Sequence, residues 1–232
     1  MRPLLSPPDR KLSTLLYLNE SLYPFLLAYV LTVDQRDSRH SDDAVSGALD
    51  RLSALHATGP FERTVGDELQ GVLEDPLSVV QAILILMDQT AWHIGIGVGP
   101  VPNPLPASVR SARGPAFVAA RSAVEDAKHR DSVVEIATGT PDPLADDATV
   151  ACQLLVDLVQ RRSDAGAEAV RLARDGLGQG QIAERLGVSR QAIGQRLAAA
   201  RWSLEQRAVP TIAGLLARVD LSTTGPTGRV GP

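Results

Sequence analysis

Strand-like and helix-like patterns alternate over the first 145 residues, and helical periodicity alone continues to residue 220. Together they predict a two-part chain, an α/β or α+β body followed by a smaller all-α helix-turn-helix module. Two observations carry that prediction. Apolar, β-branched runs at 24–34, 60–65, 92–101 and 132–138 are separated by stretches with helical spacing. The segment 178–202 holds a small residue, a glycine four positions later and a serine cap, as two helices meeting at a tight turn require. With 232 residues the chain can bury a proper core, and 44% apolar against 22% charged residues is the balance of a globular protein.

Residues 1–22 read as a loose arm or a short docking helix. PFLLAYVLTVD (24–34) has the apolar density of a buried central strand and ends in a polar loop, Asp34 to Arg39. Ser41 and the two aspartates after it cap a helix with Val45, Leu49, Leu52 and Leu55 on one face. PFERTV (60–65) and WHIGIGVGPV (92–101) are two further strands. Between them come the Gly66-Asp67-Glu68 turn and a helix over Pro76 to Met87. After a loop at 100–114, Pro115 suits the first turn of a helix. SVVEIAT (132–138) is a strand, and Asp146 to Arg162 is an amphipathic helix expected to connect the two parts. The body is thus expected at 23–145, the connecting helix at 146–163, the module at 164–220 and a disordered tail at 221–232.

In GQGQIAERLGVSRQAIGQRLAAARW (178–202), Ala183 sits where the helices cross and Gly187 makes the turn. Ile182, Leu186, Val188, Ile193 and Leu197 fill a shared core, which a preceding helix closes with Val170 and Leu172. Ser189 caps the second helix, whose outward residues are Arg190, Gln191, Gly194 and Gln195, with Arg196 and Arg201 beside them. Arg and Gln match guanine and adenine edges in the major groove, and Gln179 and Gln181 of the first helix would lie near phosphate. Double-stranded DNA is the expected partner and transcriptional regulation the expected role; the bland alternative is a helical hairpin with solvated arginines. Eight arginines and five acids between Asp164 and Val219 give this part +3, so the rest of the chain, at −4 overall, carries −7. Pro210 is expected to open a last helix, which packs back on the module or forms the seam of a homodimer.

A second constellation is acidic: Asp34 at the end of the first strand, and Asp67 and Glu68 in the turn. Carboxylates on adjacent strand ends can hold Mg²⁺, which in turn orients a nucleotide. The alternate glycines Gly95, Gly97 and Gly99 let a backbone or a ligand approach a strand closely. An ordinary turn and an ordinary strand-end cap are the competing readings. VDQRDSR, GDELQ, IGIGVG and ARGPAFVAAR, in that order, resemble the SatD family of bacterial proteins, as SRQAIGQRLAAARW resembles the helix-turn-helix that many of them carry. The strand-end Asp with the Gly-Asp-Glu hairpin is also similar to the nucleotidyl-cyclase palm.

The resemblance implies a ferredoxin-like, nucleotidyl-cyclase-like α+β body that dimerises and senses a nucleotide. Asp34, Asp67 and Glu68 would then be metal ligands, and Arg39, Gly97 and Arg121 nucleotide contacts. An active Mg²⁺-dependent cyclase is the alternative. Val65 stands where diguanylate cyclases have a second glycine, and Val33 and Leu69 stand where SatD-like sequences have Gly and Phe. No counterpart of the base-selecting or transition-state pairs of class III cyclases is evident. The lone Cys152 excludes an intramolecular disulfide and a cysteine-rich zinc site. No membrane-length apolar run is present and the first residues lack a signal-peptide pattern, so a cytoplasmic address is expected.

Overall fold

The computed structural model describes residues 25–38, 40–87 and 92–223. The arm expected at 1–22, Arg39 and the tail after residue 223 lie outside the described residues.

Strand β1 (Phe25–Gln35) is buried on both faces, as its continuous apolar run requires, and lies at the centre of a five-stranded sheet. It pairs antiparallel with β3 (Glu68–Leu73) on one side and with β4 (Trp92–Pro102) on the other. Strand β2 (Gly59–Arg63) forms a hairpin with β3, and β5 (Val134–Ala137) lies parallel to β4, giving the order β2-β3-β1-β4-β5. Helix α1 (Val45–Leu52) precedes the hairpin and α2 (Pro76–Leu86) leads from β3 to β4. The first four strands, antiparallel to one another where they pair, therefore make the β-α-β-β-α-β ferredoxin-like unit, and the class is α+β.

Alternate residues of the strands serve two cores. Tyr29, Leu31 and Val33 of β1 and Trp92, Ile94 and Ile96 of β4 face α1, α2, α4 (Pro143–Gln160) and the end of α8 (Trp202–Thr223). The opposite face carries Ala28, Val30 and Val72 and is covered by α3 (Pro115–His129) and a short 3-10 turn at Val109–Ser111. Pro76 and Pro143 occupy first turns, with Asp75 and Asp142 accepting hydrogen bonds from the next free backbone amides.

Helices α5 (Asp164–Arg174), α6 (Gln179–Leu186) and α7 (Arg190–Ala199) enclose a separate cluster of Val170, Leu172, Ile182, Ala183, Ile193 and Leu197. Gly187 ends α6 in the left-handed region at φ 65°, a conformation that costs glycine nothing. Ser189 then caps α7, its hydroxyl accepting from Ala192 N at 3.1 Å. None of the helices among the described residues is long and apolar enough to cross a membrane.

Three sequence expectations are corrected. The hairpin's second strand, β3, was given no extent, because ELQGVL is interrupted by Gly71 and opens on a charge; Gly71 is required because the Phe61 ring occupies the space of its missing side chain. Helix α4 begins at Pro143 and is no mere connector, since it buries Ala145, Ala148, Cys152 and Leu155 in the main core. Helix α8 starts at Trp202 and runs straight through Pro210. It packs Ile212, Ala213, Leu216 and Val219 against the sheet body, neither back on the three-helix unit nor out toward solvent.

Candidate functional site

The ends of β1 and β4 bring the expected acidic residues to one rim of the sheet. Asp34 stands opposite Glu68 on β3 and opposite His93 on β4. Buried Gln35 fixes the loop beyond β1: its amide donates to Ser41 Oγ (2.9 Å) and Asp42 O (2.7 Å), and its oxygen accepts from Ala44 N. Asp34 and Asp67 line a common cleft of about 510 Å³, with His93, Lys128 and Asp131.

Lys128, near the carboxy-terminal end of α3, places its Nζ 2.9 Å from Asp34 Oδ2 and 3.1 Å from Glu125 Oε1. Burial works against the ammonium charge, but the hydrogen bonds and charges of Asp34 and Glu125 outweigh it and hold its pKa above the ordinary lysine value. Glu68 turns elsewhere. Its carboxylate accepts from Thr64 Oγ1 and lies 3.8 Å from Arg121 Nη2.

These residues do not fit a resident Mg²⁺ in this arrangement. An ammonium already neutralises Asp34, and Glu68 is engaged outside the cleft that Asp34 and Asp67 share. Among the described residues no three His, Cys, Asp or Glu side chains stand close enough together to hold a metal.

Gly97 is also accounted for without a ligand. A Cβ there would overlap the Ala116 oxygen and Ala120 nitrogen of α3, and one on Gly95 would overlap Ala120 and Val124. Of the two options that alternating glycines leave open, it is a backbone that approaches: α3 lies directly on β4. Arg121 is exposed on the outer side of that helix, and Arg39 is outside the described residues.

Sequence reasoning missed the partner of Asp34 and, apart from Arg121, a second, basic cleft. Lys128 could have drawn notice, because only two of the 23 basic residues are lysines. The basic cleft, of about 390 Å³, lies along the first turns of α3 and gathers Arg110, Arg113 and Arg121 around Gln70 and Phe117. Its arginines come from a loop and a helix whose meeting no local pattern foretells.

The residues expected to face DNA are at the surface of the three-helix unit. Gln179, Gln181, Ser189, Arg190, Gln191, Gln195 and Arg201 are exposed and Arg196 is half-buried. Gln181 is partly committed, since its Oε1 accepts from Gly178 N at 2.9 Å and so caps α6. Arg190, Arg196 and Arg201 form no ion pair among the described residues, whereas Arg162 and Arg174 are clamped on Glu205. In that clamp Arg162 Nη2 stands 2.6 Å from Oε2 and Arg174 Nε 2.7 Å from Oε1.

No family model matches the chain, and no curated protein does. Among solved structures, it is similar to the regulator of polyketide synthase expression from Bifidobacterium adolescentis, at 11% identity and a TM-score of 0.26, over 93% of this chain and 88% of that one.

Proposed function

We propose that the chain is a cytoplasmic, sequence-specific DNA-binding regulator of transcription, in which α6 and α7 act as a helix-turn-helix. The observation that carries this reading is the outer face of α7. Behind the left-handed turn at Gly187, the exposed residues Arg190, Gln191 and Gln195 lie on a helix whose opposite face, Ile193 and Leu197, is locked into the three-helix core. Among the described residues its cations hold no carboxylates, so phosphate or guanine can engage them without an ion pair first being broken. On this reading α7 enters the major groove and Gln179, at the start of α6, faces phosphate.

The order of motifs shared with SatD proteins fits a regulator with a separate body that senses a nucleotide. A homodimer would set two copies of α7 on half-sites of one operator. Light scattering on the free and DNA-bound chain checks that stoichiometry.

The test of the main reading is selection of binding sites from a random duplex library, followed by titration of the enriched site by fluorescence anisotropy. Arg190→Ala is expected to lose about 1–3 kcal/mol of discrimination at one base pair while keeping most of the non-specific affinity. Unchanged base preference in that variant, or no enrichment by the wild-type chain, overturns the proposal.

A further inference from the structure

The acidic cleft at the sheet rim supplies its own cation, whereas the basic cleft along α3 lacks an anion. Arg110, Arg113 and Arg121 line the latter, and among the described residues no Asp or Glu does. Arg110 and Arg113 form no ion pair among the described residues, and Arg121 reaches only Glu68, at 3.8 Å. Three guanidinium groups so placed repel one another, even on a body that is acidic overall, and a bound dianion would relieve that repulsion.

The cleft is also built. Arg113 Nη1 donates to Arg110 O (3.0 Å) and Ala112 O (2.7 Å), which holds one edge of its guanidinium against the loop. Gln70, 5% exposed, lies in the floor and is anchored by its amide to Thr32 Oγ1 at 2.9 Å. Helix α3 starts here at Pro115 with no side-chain cap, so its positive end adds to the field of the arginines. Val65 on the hairpin and Val118 on α3, 79% and 71% exposed, add two apolar side chains to the lining of the cleft.

We propose that this cleft binds a phosphate ester of the nucleotide class, with the phosphate on Arg110, Arg113 and Arg121 and the base between Val65 and Val118. It binds without a divalent cation, because no carboxylate lines the cleft to carry one. Guanidinium groups engage phosphate through paired N–H donors, and the volume is in the range of small-molecule sites. The site makes specific the sensing role given above to the body. It rests on that part of the proposed function alone and is independent of α7.

The experiment is titration of the full chain by calorimetry in EDTA with inorganic pyrophosphate, with each nucleoside mono- and triphosphate, and with sulfate as a dianion that is not a phosphate. Saturable binding of at least one nucleotide, tighter than pyrophosphate and sulfate, is expected. Arg110→Gln, whose side chain holds no other element, should weaken it about tenfold or more, as should Arg121→Gln, while Arg190→Ala leaves it unchanged. No nucleotide binding below about 1 mM, binding only with Mg²⁺ added, or equal affinity in Arg110→Gln overturns the proposal. So does a loss of duplex DNA affinity in Arg110→Gln with nucleotide binding intact, which would assign the cleft to DNA phosphate.

Discussion

Asp220 lies on α8 with its Oδ1 buried and without a hydrogen-bond partner among the described residues, and burial raises its carboxyl above the usual value of 3.8. A folded-state pKa that is raised means stability is fullest below the unfolded value and is lost as pH rises through the folded one. At neutral pH the ionised carboxylate is therefore a net cost, and burial is its cause. Asp220→Asn removes the charge and should raise stability in urea denaturation at pH 7. The gain should shrink toward nothing at a pH below the usual value of 3.8, where the carboxyl is protonated in the folded and the unfolded chain alike. An equal gain at both pH values would show that packing rather than charge is responsible. Asp34 shows the opposite solution, a strand-end carboxylate met by Lys128. The sequence marked Asp34 as chemically significant because an acid at the end of an apolar strand is conspicuous. Its partner, 94 positions away by the residue numbers in that ion pair, was invisible to any local pattern.

At the scale of elements, local chemistry made the three-helix unit almost fully legible. The small residue, left-handed glycine and serine cap act within a dozen positions of one another, and the cluster around Ile182 and Ile193 forms as their spacing demands. Helix α8 was misread because proline removes a backbone donor at a cost of about 3 kcal/mol. Burial of Ile212, Leu216 and Val219, each contributing roughly 1.5–3 kcal/mol, outweighs that cost and carries the helix through Pro210. The contact of α3 with β4 was legible only as an alternative. Gly97→Ala would set a methyl group against backbone atoms of Ala116 and Ala120, which have no flexible side chain to move aside. A loss of about 1–3 kcal/mol or more in urea denaturation is expected, as for overpacking at other tight interfaces. A neutral Gly97→Ala variant would mean that α3 can shift on the sheet, and the glycine would again require a ligand to explain it.

The two parts of the molecule have separate cores, yet nothing between them resembles a flexible linker. Helix α8 belongs to both: its second half lies in the sheet core, while Glu205 near its start, 1% exposed, is gripped by Arg162 after α4 and Arg174 at the end of α5. Arg162 also donates from Nε to Ala200 O at 2.9 Å, so the end of α7 is tied to the same point. Such a clamp adds little net stability over an apolar substitute, but removing Glu205 takes the carboxylate from the buried Arg162 guanidinium, a loss of about 3–5 kcal/mol when such a group is buried. The sheet body and the three-helix unit should therefore open as one cooperative unit. Hydrogen exchange of α5–α7 and alkylation of Cys152, buried in α4 with its thiol pushed up to about 12, should report the same opening free energy. In Glu205→Gln the two measures should separate, with α5–α7 exchanging through local opening while Cys152 stays protected. If the wild-type chain already shows that separation, the clamp does not couple the parts. A ligand bound to the body could then not reach α7 through α8, and regulation would have to pass through the arrangement of two copies on DNA.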